Sequence, residues 1–240
     1  MKAAITLLIL MITSPAAILY AQQPSNASNV AVTTSAADNR SIIFDSLKLG
    51  RYGLARRAYD YAMIGYEYLK QKNKLTNKDV LSIVDFTLPS SKKRLFVIDI
   101  KKCKLLFATY VAHGRNSGVE KALYFSNEPE SFKSSVGFYT TMGTYSGKHG
   151  YSMKMEGNEK GFNDNASDRD IVVHSADYVD EAWIQGQGYI GRSLGCPALS
   201  PKIYKLIIDK IKGGSCFFVY GNDSKYITES KFLKQSTKKN

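Results

Sequence analysis

From residue 80 onward the chain is a succession of short apolar runs rich in β-branched and aromatic residues. Each is cut off by glycine, asparagine, proline or lysine. Runs this short, bounded by turn residues, build strands; a helical core needs a longer stretch with a period near 3.6 residues. Residues 80–88, 94–100, 104–112, 136–141, 151–155, 171–174 and 216–220 all read this way. Lys101, Lys102 and Cys103 join the second and third runs into a hairpin. A glycine-rich connection separates the fourth from the fifth. Helical spacing is confined to three places. Residues 42–49 suggest a short helix, and 53–72 carry Leu54, Ala58, Tyr61, Ala62, Gly65, Tyr68 and Leu69 on one face. Near the end, Ser200-Pro201 is an N-cap and first-turn signature before the apolar stretch 203–211, which Gly213-Gly214 ends. The expected fold is a mainly β domain over 80–222 with an N-terminal helical element over 41–79 and one late α-helix.

The front of the chain predicts export. Lys2 is followed by an apolar run and then by Pro15, small residues and Ala21. This is the layout of a secretory signal peptide over 1–21, too short for a comfortable membrane span. An uncleaved anchor is the alternative; after cleavage no stable span is expected. Residues 22–40 are polar, small and without period, a flexible spacer. Residues 223–240 close the chain as a basic tail. The net charge of +12 comes from 33 Lys and Arg against 21 Asp and Glu. It suits anionic envelope polymers, or solubility alone; no nucleic-acid-binding motif accompanies it, so no nucleic acid partner is expected.

Three cysteines, Cys103, Cys196 and Cys216, are an odd number for an exported chain, so at least one stays free or pairs with another molecule. Cys216 lies in a β-like run and Cys103 in a Lys-rich turn. Cys196 sits between Gly195 and Pro197, a turn that can present a sulfur and leave backbone N–H groups for an oxyanion. His174 ends the run IVVH and is the candidate base, because a cysteine is a strong nucleophile only as thiolate. Only three histidines are present, with no HExxH or CxxC set, so neither a metal nor another cofactor is expected. Asn163-Asp164-Asn165 lacks the spacing of a calcium loop and reads as a turn. His149, followed by Gly150 in GKHGY, is a candidate for the groove wall or for a structural loop. His113 leans towards structure. Arg192 suits either a substrate carboxylate or the fixing of its own loop through carbonyls.

Over about residues 83–220 the chain resembles the murein L,D-transpeptidase catalytic domain, the YkuD-like L,D-transpeptidases. The resemblance rests on LFVIDI, TYVAHGRNSG, SSVGFYTT, YSGKHGYSMKM, GFNDNA, IVVHSADYV and GRSLGCPAL, in that order. It implies a β-sandwich-like domain with a groove, and a cysteine nucleophile, Cys196, acting on peptidoglycan stem peptides. It also implies His174 as base, oriented by the carbonyl of Ser175, with Ser193 at the motif's Ser/Thr position and oxyanion N–H groups from Gly195 and Cys196. Three departures stand out: Leu194 replaces the usual histidine before Gly-Cys, Pro197 and Ala198 replace polar residues, and the His174–Cys196 gap of 22 positions is somewhat long. Three classes stay open: a peptidoglycan transpeptidase or hydrolase, a silent wall-binding module, and a thiol redox protein.

Overall fold

The computed structural model describes residues 36–234. The signal-peptide segment, the spacer up to residue 35 and the tail from 235 lie outside the described residues. The strands are β1 Val80–Asp85, β2 Leu95–Asp99, β3 Lys104–Thr109, β4 Gly137–Gly147, β5 Gly150–Gly157, β6 Val172–Ser175, β7 Ala198–Leu199 and β8 Cys216–Tyr220. They form one eight-stranded sheet in the order β3-β2-β1-β8-β4-β5-β6-β7. Pairing is parallel for β1 with β8 and for β6 with β7, and antiparallel elsewhere.

The central strands explain why their sequences are apolar without a break. In β8, Cys216, Phe218 and Tyr220 enter one hydrophobic cluster, while Phe217 and Val219 enter the other. Strand β2 divides in the same way: Phe96 and Ile98 face the first cluster, Leu95 and Val97 the second. Alternating residues of a strand point to opposite faces, so apolar residues at every position require a cover on both. The first face is covered by helix α2, Arg56–Gln71, whose Ala58, Tyr59, Ala62, Met63, Tyr66 and Leu69 are buried at helical spacing. The second is covered by α4, Tyr204–Ile211, through Ile207, Ile208 and Ile211.

Buried carboxylates tie the terminal segments to this sheet. Asp85, at the end of β1, accepts hydrogen bonds from Ala55 N and from the backbone and hydroxyl of Thr87. Glu159 accepts from Phe138 N (2.8 Å), the Tyr226 hydroxyl (2.8 Å) and the Ser230 hydroxyl. Burial pushes both carboxyl groups up from their usual range.

Several elements differ from the sequence reading. Helix α1, Ala36–Ser46, begins inside the stretch read as spacer. The late helical content is three short helices, not one: α3 Glu181–Gln187, α4, and α5 Ser224–Glu229. Helix α5 occupies what was expected to be tail. Asp223 caps it by accepting from Tyr226 N, and buried Tyr226 docks it through Glu159. Helix α4 begins at Tyr204 because Ser200 heads a turn instead, its carbonyl accepting from Ile203 N and Tyr204 N. The glycine-rich connection 142–150 is not a loop: β4 and β5 form one long hairpin with a register shift between Thr141 and Thr144. The mainly β expectation holds: the strands make one continuous sheet with helices over it. Among the described residues no helix is long and apolar enough to cross a membrane.

Gly65 marks where α2 lies flush on the sheet. A Cβ there would fall 2.1 Å from the Phe138 ring. Gly65→Ala is therefore expected to destabilise the fold by about 1–3 kcal/mol through overpacking. At about 2–4 °C per kcal/mol, calorimetry would register a lowered melting temperature. An unchanged or raised midpoint would show that the contact relaxes freely.

Candidate active site

Two short parallel strands place the predicted residues on neighbouring segments. In the β6–β7 ladder His174 lies opposite Ala198 and Ser175 opposite Leu199. Cys196 stands two residues before Ala198, and its sulfur reaches the backbone where β6 begins. Val172 N–H donates to Sγ at 3.5 Å, and the thiol donates to the Asp170 carbonyl at 3.4 Å. His174 is buried, and its Nδ1 lies 2.8 Å from the Ser175 carbonyl. A carbonyl can only accept, so Nδ1 carries the proton and Nε2 keeps its lone pair.

The turn carrying Cys196 is tightly specified. Ser193 Oγ donates to the Cys196 carbonyl at 2.6 Å and accepts from Gly195 N at 3.1 Å. Gly195 has φ +128°, and a side chain there would meet Lys133 O and Ile171 Cδ1 at 3.0 Å. Only glycine fits that conformation and that space. The Gly195 N–H, expected to face an oxyanion, donates to Ser193 Oγ here. The Cys196 N–H has no acceptor among the described residues. Leu194 is exposed on the outside of the turn.

The remaining candidates fall into two groups. His149 sits at the tip of the β4–β5 hairpin, where Gly147 pairs with Gly150, and its ring stacks on His174 with centroids 4.4 Å apart. Gly150 has φ +71°. Of these two, only His149 touches His174. Arg192 points elsewhere: its Nη1 donates to the carbonyls of Arg115 (3.1 Å) and Gly118 (3.2 Å), fixing the loop beside the Cys turn. His113 is buried and structural. Its Nδ1 accepts from Arg94 at 2.7 Å, its Nε2 donates to the Gly118 carbonyl, and burial with the Arg94 charge pushes its pKa down to about 3. Asn163 forms a buried turn, accepting from Glu159 N and donating to the Phe138 carbonyl. Among the described residues no group of His, Cys, Asp and Glu could hold a metal ion.

Sequence reading did not find the cavity of about 310 Å³ lined by Tyr145, Lys154, Met155, Ser167, Asp170 and Val172. It adjoins the backbone that holds the sulfur. Nor did it find Arg169, whose guanidinium braces the opposite wall; no motif signal singles out that arginine from the others.

All three cysteines are free thiols. Cys103 lies on the β2–β3 turn, at the far end of the sheet order from β6 and β7, and Cys216 is fully buried in β8. The electrostatics of the site favour a neutral resting pair. Burial pushes the Cys196 thiol up, against the Val172 N–H and the Arg169 and Lys148 charges, with Asp170 adding to the rise. Burial lowers His174, partly offset by the Ser175 carbonyl and reinforced by His149 and Lys148.

A family model described as the L,D-transpeptidase catalytic domain matches residues 51–220, so the chain belongs to that family. The match takes in β1 to β8 and helix α2. Among solved structures, an L,D-transpeptidase from Mycobacterium smegmatis is similar at 18% identity and TM-score 0.34, covering 60% of this chain and 59% of that one. A second, "LD transpeptidase LdtMt1 in complex with imipenem", is similar at 17% identity and TM-score 0.31, covering 52% and 53%. A third, Mycobacterium tuberculosis L,D-transpeptidase 1, gives 15%, 0.29, 53% and 55%. The chain thus spans between about half and three-fifths of those proteins' length. No curated protein matches it significantly.

A neutral thiol beside a neutral imidazole predicts how Cys196 titrates. Its rate of alkylation should climb through the alkaline range, with an inflection above that of an ordinary thiol, because only the thiolate reacts. Following the Cys196 peptide by mass spectrometry across the pH range checks this. A flat rate from acidic to neutral pH would instead reveal a preformed thiolate–imidazolium pair.

Proposed function

We propose that the protein is an exported peptidoglycan L,D-transpeptidase that works through a cysteine acyl-enzyme. The observation carrying this is the β6–β7 register, which sets Cys196 beside the strand ending in a base with a fixed tautomer, inside a domain of this family. The signal-peptide layout and the basic charge support a place of action in the cell envelope.

The chemistry runs as one acyl transfer. Cys196 Sγ attacks the carbonyl joining an L-centre to a D-amino acid of a stem peptide, while its proton passes to His174 Nε2. The tetrahedral oxyanion is met by the Cys196 N–H, the donor left free in the turn. The C–N bond breaks, and the leaving amine takes the proton from His174. A thioester on Cys196 remains. An amine from a second stem peptide then attacks it, giving a crosslink and returning the thiol. Water in the amine's place gives a trimmed stem, the carboxypeptidase outcome of the same intermediate. Because the motif histidine is replaced by Leu194, stabilisation from that side is by backbone alone. The cavity bounded by Tyr145 and Lys154 adjoins Asp170 and Val172, whose backbone contacts the sulfur, and suits an extended peptide with a carboxylate within reach of the lysine.

A silent wall-binding module would keep the fold without needing a reactive thiol. A redox role has no resolving partner in reach, since Cys103 stands at the opposite end of the sheet and Cys216 is buried.

Incubation with purified muropeptides, read by mass spectrometry, tests the proposal. Wild-type protein should yield crosslinked or trimmed stems. Cys196→Ala should lose turnover by on the order of 10³-fold or more while keeping its thermal midpoint. His174→Ala should lose about 10²–10⁴-fold, the range for a general base. Turnover retained in Cys196→Ala would refute the mechanism.

A further inference from the structure

One cation beside the nucleophile has no anion of its own. Arg169 is half-buried on the segment that leads into β6. Its Nη1 donates to the Ser126 carbonyl at 2.7 Å and to the Ser135 hydroxyl; its Nη2 donates to the Lys133 carbonyl at 2.7 Å and the Ser131 hydroxyl at 3.2 Å. All four acceptors are neutral. Among the described residues no carboxylate lies within ion-pair distance of it. Partly burying a charge without a counter-ion is costly, and neutral hydrogen bonds offset only part of that cost.

The same atoms frame the Cys196 turn. A side chain at Gly195 would meet Arg169 Nη2 at 3.3 Å and the Lys133 carbonyl at 3.0 Å. Ser134 Oγ donates to the Gly195 carbonyl at 3.4 Å, so the wall that Arg169 grips also holds the turn. On the other side, Asp170 and Val172, one and three residues after Arg169, supply the two backbone contacts to the sulfur. One residue therefore sits between the wall and the thiol and carries a positive charge that nothing neutralises.

We propose that Arg169 is a positioning residue for Cys196: its fork sets the 131–135 wall against the Gly195–Cys196 turn, and its unpaired charge favours the sulfur as thiolate during attack. This rests on Cys196 being the nucleophile. It supplies, from a different part of the chain, a polar group near a sulfur that Leu194 and Pro197 flank with apolar side chains. Other charged groups act on the same centre. The Asp170 carboxylate opposes the thiolate, Lys148 favours it, and Tyr178 faces it as well. Arg169 itself feels the Tyr139 hydroxyl and the more distant carboxylate of Glu128. The guanidinium's own desolvation runs against the charged form, while the Cys196 charge runs for it.

Iodoacetamide alkylation of Cys196 over about pH 6–10 is the test. It is done with the full chain in a Cys103→Ser background and followed by peptide mass spectrometry. Arg169→Gln should raise the inflection and slow alkylation at a fixed pH below it by about tenfold, the equivalent of one pKa unit. Arg169→Lys, which keeps the charge and loses the fork, should stay within about twofold of wild type at that pH. An unshifted inflection in Arg169→Gln overturns the assignment. Loss of the cooperative thermal transition in Arg169→Gln also overturns it, since the residue would then serve the fold. A wild-type Cys196 that resists alkylation across the whole pH range is a different result. It removes the nucleophile reading itself, whatever the variants do.

Discussion

The pairing of β6 with β7 is the constraint on which the site depends. Strand β7 is two residues long, and its register opposite His174 and Ser175 decides where Cys196 stands. A slip of one residue in such a ladder would turn each side chain to the other face and carry the sulfur away from the β6 backbone. The surroundings resist that slip. Ala112 pairs with Ala198 from a third segment, and Ala176 N donates to the Leu199 carbonyl. Ser193 bridges Gly195 and Cys196 from within the turn, while its own backbone is held by His113 and Arg115. His113 in turn is locked by Arg94. The geometry around Cys196 is therefore stabilised by a chain of buried polar contacts reaching back to β2, not by the two-residue strand alone.

Burial sets the electrostatic character of the pair. Enclosing both groups favours thiol over thiolate and imidazole over imidazolium, so the proton rests on sulfur. Arg169 and Lys148 act in opposition to burial at the sulfur, while at His174 Lys148 and His149 act with burial to lower the imidazole. Lys148 and His149 come from the tip of the β4–β5 hairpin, which makes that hairpin part of the site and not a decoration of the sheet. Its length follows from the unbroken pairing between Tyr139–Thr141 and Met155–Gly157, continued past the shift to Gly147 and Gly150.

Much of this was legible in the residues. The short apolar runs located seven of the eight strands, and the doubly buried ones were the runs without polar alternation. The exception was β7: two residues, Ala and Leu, carry no periodic signal. The α2 stripe was visible at helical spacing. Helix α5 was not, because its Lys and Ser residues look like tail and its stability comes from Tyr226 and Glu159, which lie 67 positions apart. The strand-ending histidine and the Gly-Cys-Pro turn singled out His174 and Cys196, which the structure sets on β6 and on the turn before β7. What could not be read was long-range. The stacking of His149 on His174, the use of Arg192 on loop carbonyls, and the grip of Arg169 on the 126–135 wall all join residues tens of positions apart. One local detail was also hidden: Ser193 takes up the Gly195 N–H within the turn.

Direct capture of the acyl-enzyme tests the central claim. Intact-protein mass spectrometry, quenched in acid during turnover of a stem tetrapeptide, should show a population heavier by the acyl fragment. Peptide mapping should place that mass on Cys196, and hydroxylamine should release it as expected of a thioester. Turnover with no adduct, or an adduct on Cys103 or on a hydroxyl side chain, would contradict a Cys196 thioester.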